Sequence, residues 1–171
     1  MRNLKSTRFI RGHSPQEDNS DSSAAVVRKF TEIITLSESF EILSVIDRQL
    51  VIGGNITGMV NRHDTILING STDAINDQNN TVWEATLEAS NTRLTLSNSN
   101  LQDNLVDNGY LYLAKEVIIQ HDLDAQGVVI SLHSIDTGVS IPISYQIIDI
   151  NNLKLVPDLP LIKEFLAVVV G

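Results

Sequence analysis

Four histidines and one acidic loop are the places in this chain where chemistry would start. His13, His63, His121 and His133 are scattered along the sequence. None forms a His-x-x-x-His pair, and none sits beside a second carboxylate at the spacing that puts two metal ligands on one helix face. Isolated histidines of this kind are read as structural or solvent-facing. Cysteine is absent, which removes thiolate nucleophiles, thiolate zinc sites and any disulfide framework. There is no Gly-x-Ser-x-Gly elbow, no Gly-rich phosphate loop and no dinucleotide fingerprint. A Ser/His/Asp arrangement scattered in sequence and hydrolysis by paired carboxylates are the enzymatic readings left open, and the latter requires a cleft in which the carboxylates converge. The sequence assigns no catalytic residue, no metal ligand set and no cofactor.

Asp73, Asn76, Asp77 and Asn79 lie in one loop and carry the oxygen donors that calcium prefers. Their spacing is not that of an EF-hand and the central glycine is missing, so a solvated hairpin tip is expected. Trp83 is the only tryptophan. A lone tryptophan on a strand belongs in the core more often than on a sugar platform, so burial is expected. Exposure beside polar side chains would favour glycan binding instead, although a 5% aromatic content gives little material for a groove.

Charge is distributed unevenly. Residues 1–13 carry Arg2, Lys5, Arg8 and Arg11 and no carboxylate. The whole chain is −9, so residues 14–171 sum to −13 against +4 for this segment. An acidic body argues against nucleic-acid binding, because phosphate contacts need a basic face. The basic segment suits an acidic protein partner instead. Phe9 and Ile10 would supply its apolar anchor. Arg2, Lys5, Arg8, Phe9, Ile10 and Arg11 are therefore the candidate partner-binding residues, acting by strand addition and charge pairing on a neighbouring chain. No apolar run reaches the length of a membrane span, and the N-terminus lacks the apolar core of a signal peptide. A soluble protein assembled in the cytoplasm, without a membrane partner, is the expectation.

The elements that must position these residues read as strands. Residues 1–23 are basic and then polar, without either period, and form an extended arm. Short β-branched runs follow at Phe30 to Leu36, Phe40 to Ile46 and Gln49 to Ile52, closed by the Gly53-Gly54-Asn55 turn signal. A short helix over 26–36 is the weaker alternative. Ile66/Ile68 and Leu94/Leu96 alternate as half-buried strands do. Residues 102–109 are polar and end in Asn108-Gly109, which suggests a boundary. The expected organisation is an all-β chain: an arm over 1–23, a barrel-like domain over 24–101, a linker over 102–109 and a β-sandwich over 110–171. Long fibre shafts are built from internal repeats, and none is present.

Two segments carry a family resemblance. From Tyr110 onward come Val117 to Gln120, His121-Asp122-Leu123, Gly127 to Leu132, Asp136-Thr137-Gly138, Ile141-Pro142 and a final Phe165 to Gly171. Their order resembles a β-sandwich module of virion proteins from tailed bacteriophages. That module has a strand running into His-Asn-Leu, an Asp-x-Thr-Gly turn, an Ile-Pro step and a last strand ending Val-Val-Ile-Gly. Here Asp122 replaces Asn, and Ala125-Gln126-Gly127 replaces an Arg-Asp pair. The resemblance implies that the His121 ring bonds the turn that follows it. Asp64 to Ser71, Thr81 to Leu87 and Thr92 to Leu96 similarly resemble a Gly-Asp-x-Ile-x-Ile-x-Gly-Ser motif and its following strands, with His63 in place of the usual Gly and Val82-Trp83 in place of an aromatic-led strand. What the resemblance implies is a non-enzymatic structural protein of a virion, assembled with other virion proteins and as a homo-oligomer within the particle. The first choice is a capsid decoration (cement) protein bound to the major capsid protein through its N-terminal arm. A neck, tail or short-fibre adaptor is the alternative, and a host-glycan-binding module the second.

Overall fold

The structure, a computed structural model, describes residues 27–97 and 100–171, and within them the chain is all-β. Thirteen strands follow in order: β1 (Lys29–Thr35), β2 (Ser37–Ile46), β3 (Gln49–Ile52), β4 (Thr65–Asn69), β5 (Asn79–Glu88), β6 (Asn91–Ser97), β7 (Tyr110–Ala114), β8 (Val117–Gln120), β9 (Val129–Ser134), β10 (Ser140–Ile141), β11 (Ser144–Ile147), β12 (Asn152–Val156) and β13 (Glu164–Val170). They divide between two compact units.

One unit comprises Thr35–Val117 and Val156–Glu164. Its strands close into a barrel in the order β2-β3-β6-β5-β4-β7, with every pairing antiparallel. Closure removes the sheet edges that an open sheet must protect. The interior is set by period-two alternation: Leu50 and Ile52, Ile66 and Ile68, Leu94 and Leu96, and Leu111 and Leu113 all point inward and join one apolar cluster. Ile42, Val45, Ile56, Val60, Val82 and Leu101 complete it. Register shifts interrupt two pairings, between Ile42 and Ser44 on β2 and between Val82 and Glu84 on β5.

The other unit holds the described residues through Ile34 together with Ile118–Leu155 and Phe165–Gly171. It contains a four-stranded sheet, β1-β13-β9-β10, and a three-stranded sheet, β11-β12-β8. Phe165, Ala167 and Val169 of β13, Ile130 and Leu132 of β9, and Leu153 and Leu155 of β12 are buried at alternate positions, the pattern of a β-sandwich. Backbone bonds between Arg28 and Gly171, at 2.9 and 3.1 Å, fasten the start of β1 beside the end of β13.

The division of the chain differs from the sequence expectation in three places. Lys29 to Ile34, expected in the first domain, belong to the sheet of β13. β7, expected in the C-terminal sandwich, closes the barrel by pairing with both β2 and β4. Residues 102–109 do not behave as a spacer. Asn104 exchanges two backbone bonds of 2.7 Å with Val45, the Asp107 N–H donates to Leu43 O at 2.9 Å, and the Ile42 N–H donates to Gly109 O at 2.9 Å. The polar composition read as a linker is the composition of a segment laced to the barrel by hydrogen bonds.

Candidate functional site

The arm residues Arg2, Lys5, Arg8, Phe9, Ile10 and Arg11 lie outside the described residues. The remaining candidates are placed as follows.

His121 follows β8 and is 2% exposed. Its Nδ1 accepts the Leu123 N–H at 3.2 Å, so the ring bonds the turn that follows it. The proton must then sit on Nε2, which is buried without a partner among the described residues. The same turn is held by four further bonds. The His121 N–H donates to Asn151 O at 2.8 Å and the Ala125 N–H to Ile150 O at 3.1 Å. The Asp124 N–H donates to Asn151 Oδ1 at 2.9 Å, and Arg28 Nη1 to Leu123 O at 3.1 Å. Asp122 and Asp124 take φ of 50° and 51° within it. Burial pushes the His121 pKa down from its ordinary 6.5, while Asp122 and Asp149 pull it up. Asp149 is held below the usual carboxylate range by the Asn151 N–H at 2.7 Å and then by the Asn152 amide at 3.0 Å. Its bonds make this an architectural turn. A recess lined by Arg28, Leu123, Asp124, Ala125 and Gly171 adjoins it, and Asp124 is the only side-chain carboxylate in that lining.

The loop of Asp73, Asn76 and Asp77 uses its oxygens internally. Asp73 accepts the Ile75 N–H at 3.2 Å and Asp77 accepts the Ser71 N–H at 2.8 Å. Asn76 is fully buried, accepting the Gln102 N–H at 2.8 Å and donating to Gln102 O at 3.1 Å. The expectation of a solvated tip fails at this residue. Its amide copies a backbone pairing, a role that composition does not reveal. Asn79 opens β5.

Trp83 reverses the sequence expectation most clearly. Val82 of β5 is fully buried in the barrel, so Trp83, the next residue on the strand, faces outward and is 48% exposed, at a shift in register between Val82 and Glu84. The Arg62 guanidinium lies 3.5 Å from the ring centroid, and the His63 ring meets the indole edge-on at 6.4 Å. Sequence reasoning missed Arg62, although its place beside His63 in Asn61-Arg62-His63-Asp64 was a usable signal once the outward face of Trp83 is known.

β11 lies at the edge of its sheet and all four of its residues, Ser144 to Ile147, are exposed. Val129, Val139, Ile147, Ile148 and Ile150 are large apolar residues exposed in the same unit.

No family model, no curated protein and no solved structure matches the chain.

Proposed function

We propose that this chain is a structural component of a tailed-bacteriophage virion, a capsid decoration protein held by its basic N-terminal arm. The observation that carries the reading is the order of the C-terminal pieces, each of which has a mechanical role in the fold. His121 bonds its own turn, Gly138 takes φ of 69° after Asp136-Thr137, Ile141 ends β10 with Pro142 directly after it, and Phe165 to Val170 lie in the buried-alternating β13. These are the pieces on which the resemblance to virion modules rests.

Two further observations support assembly with other proteins. The +4 arm precedes a body of −13, so copies and acidic neighbours can pair through it. The exposed β11 edge, free of proline and charge over Ser144 to Ile147, is a template for strand addition. The mechanism is mechanical. Apolar burial and added strands across subunit boundaries stabilise a shell, and many copies give avidity without tight single contacts. No bond-making step is required.

Particles lacking the protein provide the test. Intact heads that rupture at lower internal pressure support decoration, whereas tailless or leaking heads move the protein to the neck. Deletion of residues 1–13 is expected to abolish incorporation while far-ultraviolet circular dichroism stays unchanged. Full incorporation of the deleted protein would remove the arm from the mechanism.

A further inference from the structure

Among the described strands, the barrel closes on itself, while the two sheets of the other unit end in open edges at β1, β10, β8 and β11. Open edges are normally blunted by charge, proline or short length. β1 carries Lys29 and Glu32, and β10 is two residues long and runs into Pro142. β8 lies between Lys115-Glu116 and Asp122, and its Ile119 is fully buried, so the core behind it is covered. β11 has none of these protections.

β11 also leaves core uncovered. The Tyr145 hydroxyl donates at 3.2 Å to Val128 O, next to β9 of the other sheet. Tyr145 therefore points between the sheets, and Ile147, two residues on, shares its face. In the sheet of β9, Ile141 is paired with the fully buried Leu132, and directly opposed residues share a face. Ile141, Tyr145 and Ile147 thus all face the interior at this margin. Tyr145 is 38% exposed, Ile147 is 46% exposed and Ile141 is half-buried, whereas Leu132, Leu153 and Leu155 are fully buried. The sandwich ends here before its apolar interior does, and one more strand beside β11 would cover the remainder.

Charge selects the occupant. Thr137 to Ile148 carry no Asp, Glu, Lys or Arg, in a body that sums to −13. Two copies of an acidic surface repel each other, but this stretch can be laid against itself without setting carboxylate against carboxylate. The segment before Val27 joins the unit at β1, the far edge of its sheet from β10. Only Pro142-Ile143 separate β10 from β11, so both lie on the side away from that entry.

Parity then fixes the register. In an antiparallel pair, opposed residues share a face, so a two-fold axis between two copies of β11 must pass through a residue. An axis at Gln146 sets Tyr145 opposite the partner's Ile147, and does so twice. Aromatic and β-branched side chains are favourable cross-strand neighbours, and these are the two that one copy leaves half exposed. An axis at Tyr145 or Ile147 sets one of them against its own copy and the other past the end of the strand. With the axis at Gln146, the nearest acidic residues of the strand's continuation, Asp149 and the partner's Asp149, lie about 20 Å apart, beyond a screening length of about 8 Å.

We propose that the chain forms a two-fold dimer through β11, antiparallel and centred on Gln146, which joins the three-stranded sheets of two copies into one continuous sheet. This pairing builds on strand addition at β11, names its partner as a second copy, and uses no residue of the arm.

Sedimentation velocity of the full-length protein from about 2 to about 300 μM is the test, because an edge this short makes a small interface, with a dissociation constant of the order of ten micromolar. A concentration-dependent monomer–dimer equilibrium is expected. Gln146→Lys and Gln146→Glu each place like charges opposite one another at the axis, on the exposed outer face where the fold is not disturbed. Each should weaken the dimer about fivefold or more with unchanged circular dichroism. An equimolar mixture of the two variants should recover association close to that of the unaltered protein, since opposite charges then meet at the axis. Monomer throughout the range overturns the proposal. So does a dimer that both variants form as tightly, or a mixture that associates no better than each variant alone. Loss of the dimer on deletion of residues 1–13 would make the arm the occupant of the edge and equally overturn it. The expected result is that this deletion abolishes incorporation into particles and leaves the dimer intact, so failure of the arm and failure of this pairing are read separately.

Discussion

At His121 the two ring nitrogens have different tasks. Nδ1 accepts the Leu123 N–H and Nε2 carries the proton into a buried setting. A second proton would have to enter at Nδ1, where it would face a donor instead of an acceptor. Burial likewise disfavours the charged ring, and this outweighs the pull of Asp122 and Asp149. The sign of the pH effect follows. The unfolded chain takes up this proton near the ordinary 6.5, while the folded chain takes it up only at lower pH. The unfolded state therefore binds more protons in the window just below 6.5, and folding stability falls as pH falls through that window. Above it the contribution is complete. Asp149 acts in the same direction but only below the ordinary aspartate value of 3.8, so the two steps do not overlap at the upper edge. Urea unfolding at about pH 7.5 and about pH 5.5 is expected to show lower stability at the acid point. His121→Asn keeps an acceptor for the N–H two residues ahead and should flatten the difference. An unchanged difference in that variant would assign the step to another group.

Among the elements, the segment from Leu101 to Gly109 bears most on how the barrel is held. Leu101 is buried in the barrel core, and Asp107, also buried, accepts the Ser71 hydroxyl at 2.6 Å and the Gly109 N–H at 2.7 Å. A Cβ placed on Gly109 would lie 2.7 Å from Ser71 N and 2.8 Å from Ser71 Cα, both backbone atoms that cannot turn aside. Gly109→Ala is therefore expected to destabilise the protein by about 1–3 kcal/mol, the usual cost of forcing an atom into filled space. A shift in the urea midpoint at unchanged slope measures it. This segment also marks where the sequence stops being informative. The strands were legible because alternation is local: Ile66/Ile68 and Leu94/Leu96 declare an inward face without reference to anything distant. The bond from the His121 ring was legible through a resemblance in its turn. The partners of a strand are not written in its own residues, so Tyr110 to Ala114 gave no sign of pairing with β2 and β4. Trp83 was expected inside because a lone tryptophan is usually a core residue, and that prior says nothing of which face of its strand the residue occupies. Asn76 and Asp107 read as loop polarity because a buried amide and a solvated one have the same composition.

For the whole molecule, the consequence lies in how often the chain changes unit. It passes between them after Ile34, Val117, Leu155 and Glu164. Each unit is thus assembled from pieces far apart in sequence: β1 pairs in the sheet of β13, and the Ser37 hydroxyl of the barrel unit donates to Leu161 O at 2.7 Å across 124 residues. Contacts of such long sequence separation form only after large loops have closed, which slows folding and couples its parts. Cutting the chain where its composition changes should consequently fail. A fragment of residues 24–101 lacks β7, leaving β2 and β4 without a shared neighbour and the barrel open at two edges. A fragment of residues 110–171 lacks β1, the strand beside β13. Neither fragment is expected to show a cooperative urea transition or dispersed amide resonances, whereas the full chain should show both. A sharp transition in the 24–101 fragment would mean that five strands can close without β7. The pairing of β7 with β2 and β4 would then be an addition to a finished barrel and not the step that completes it.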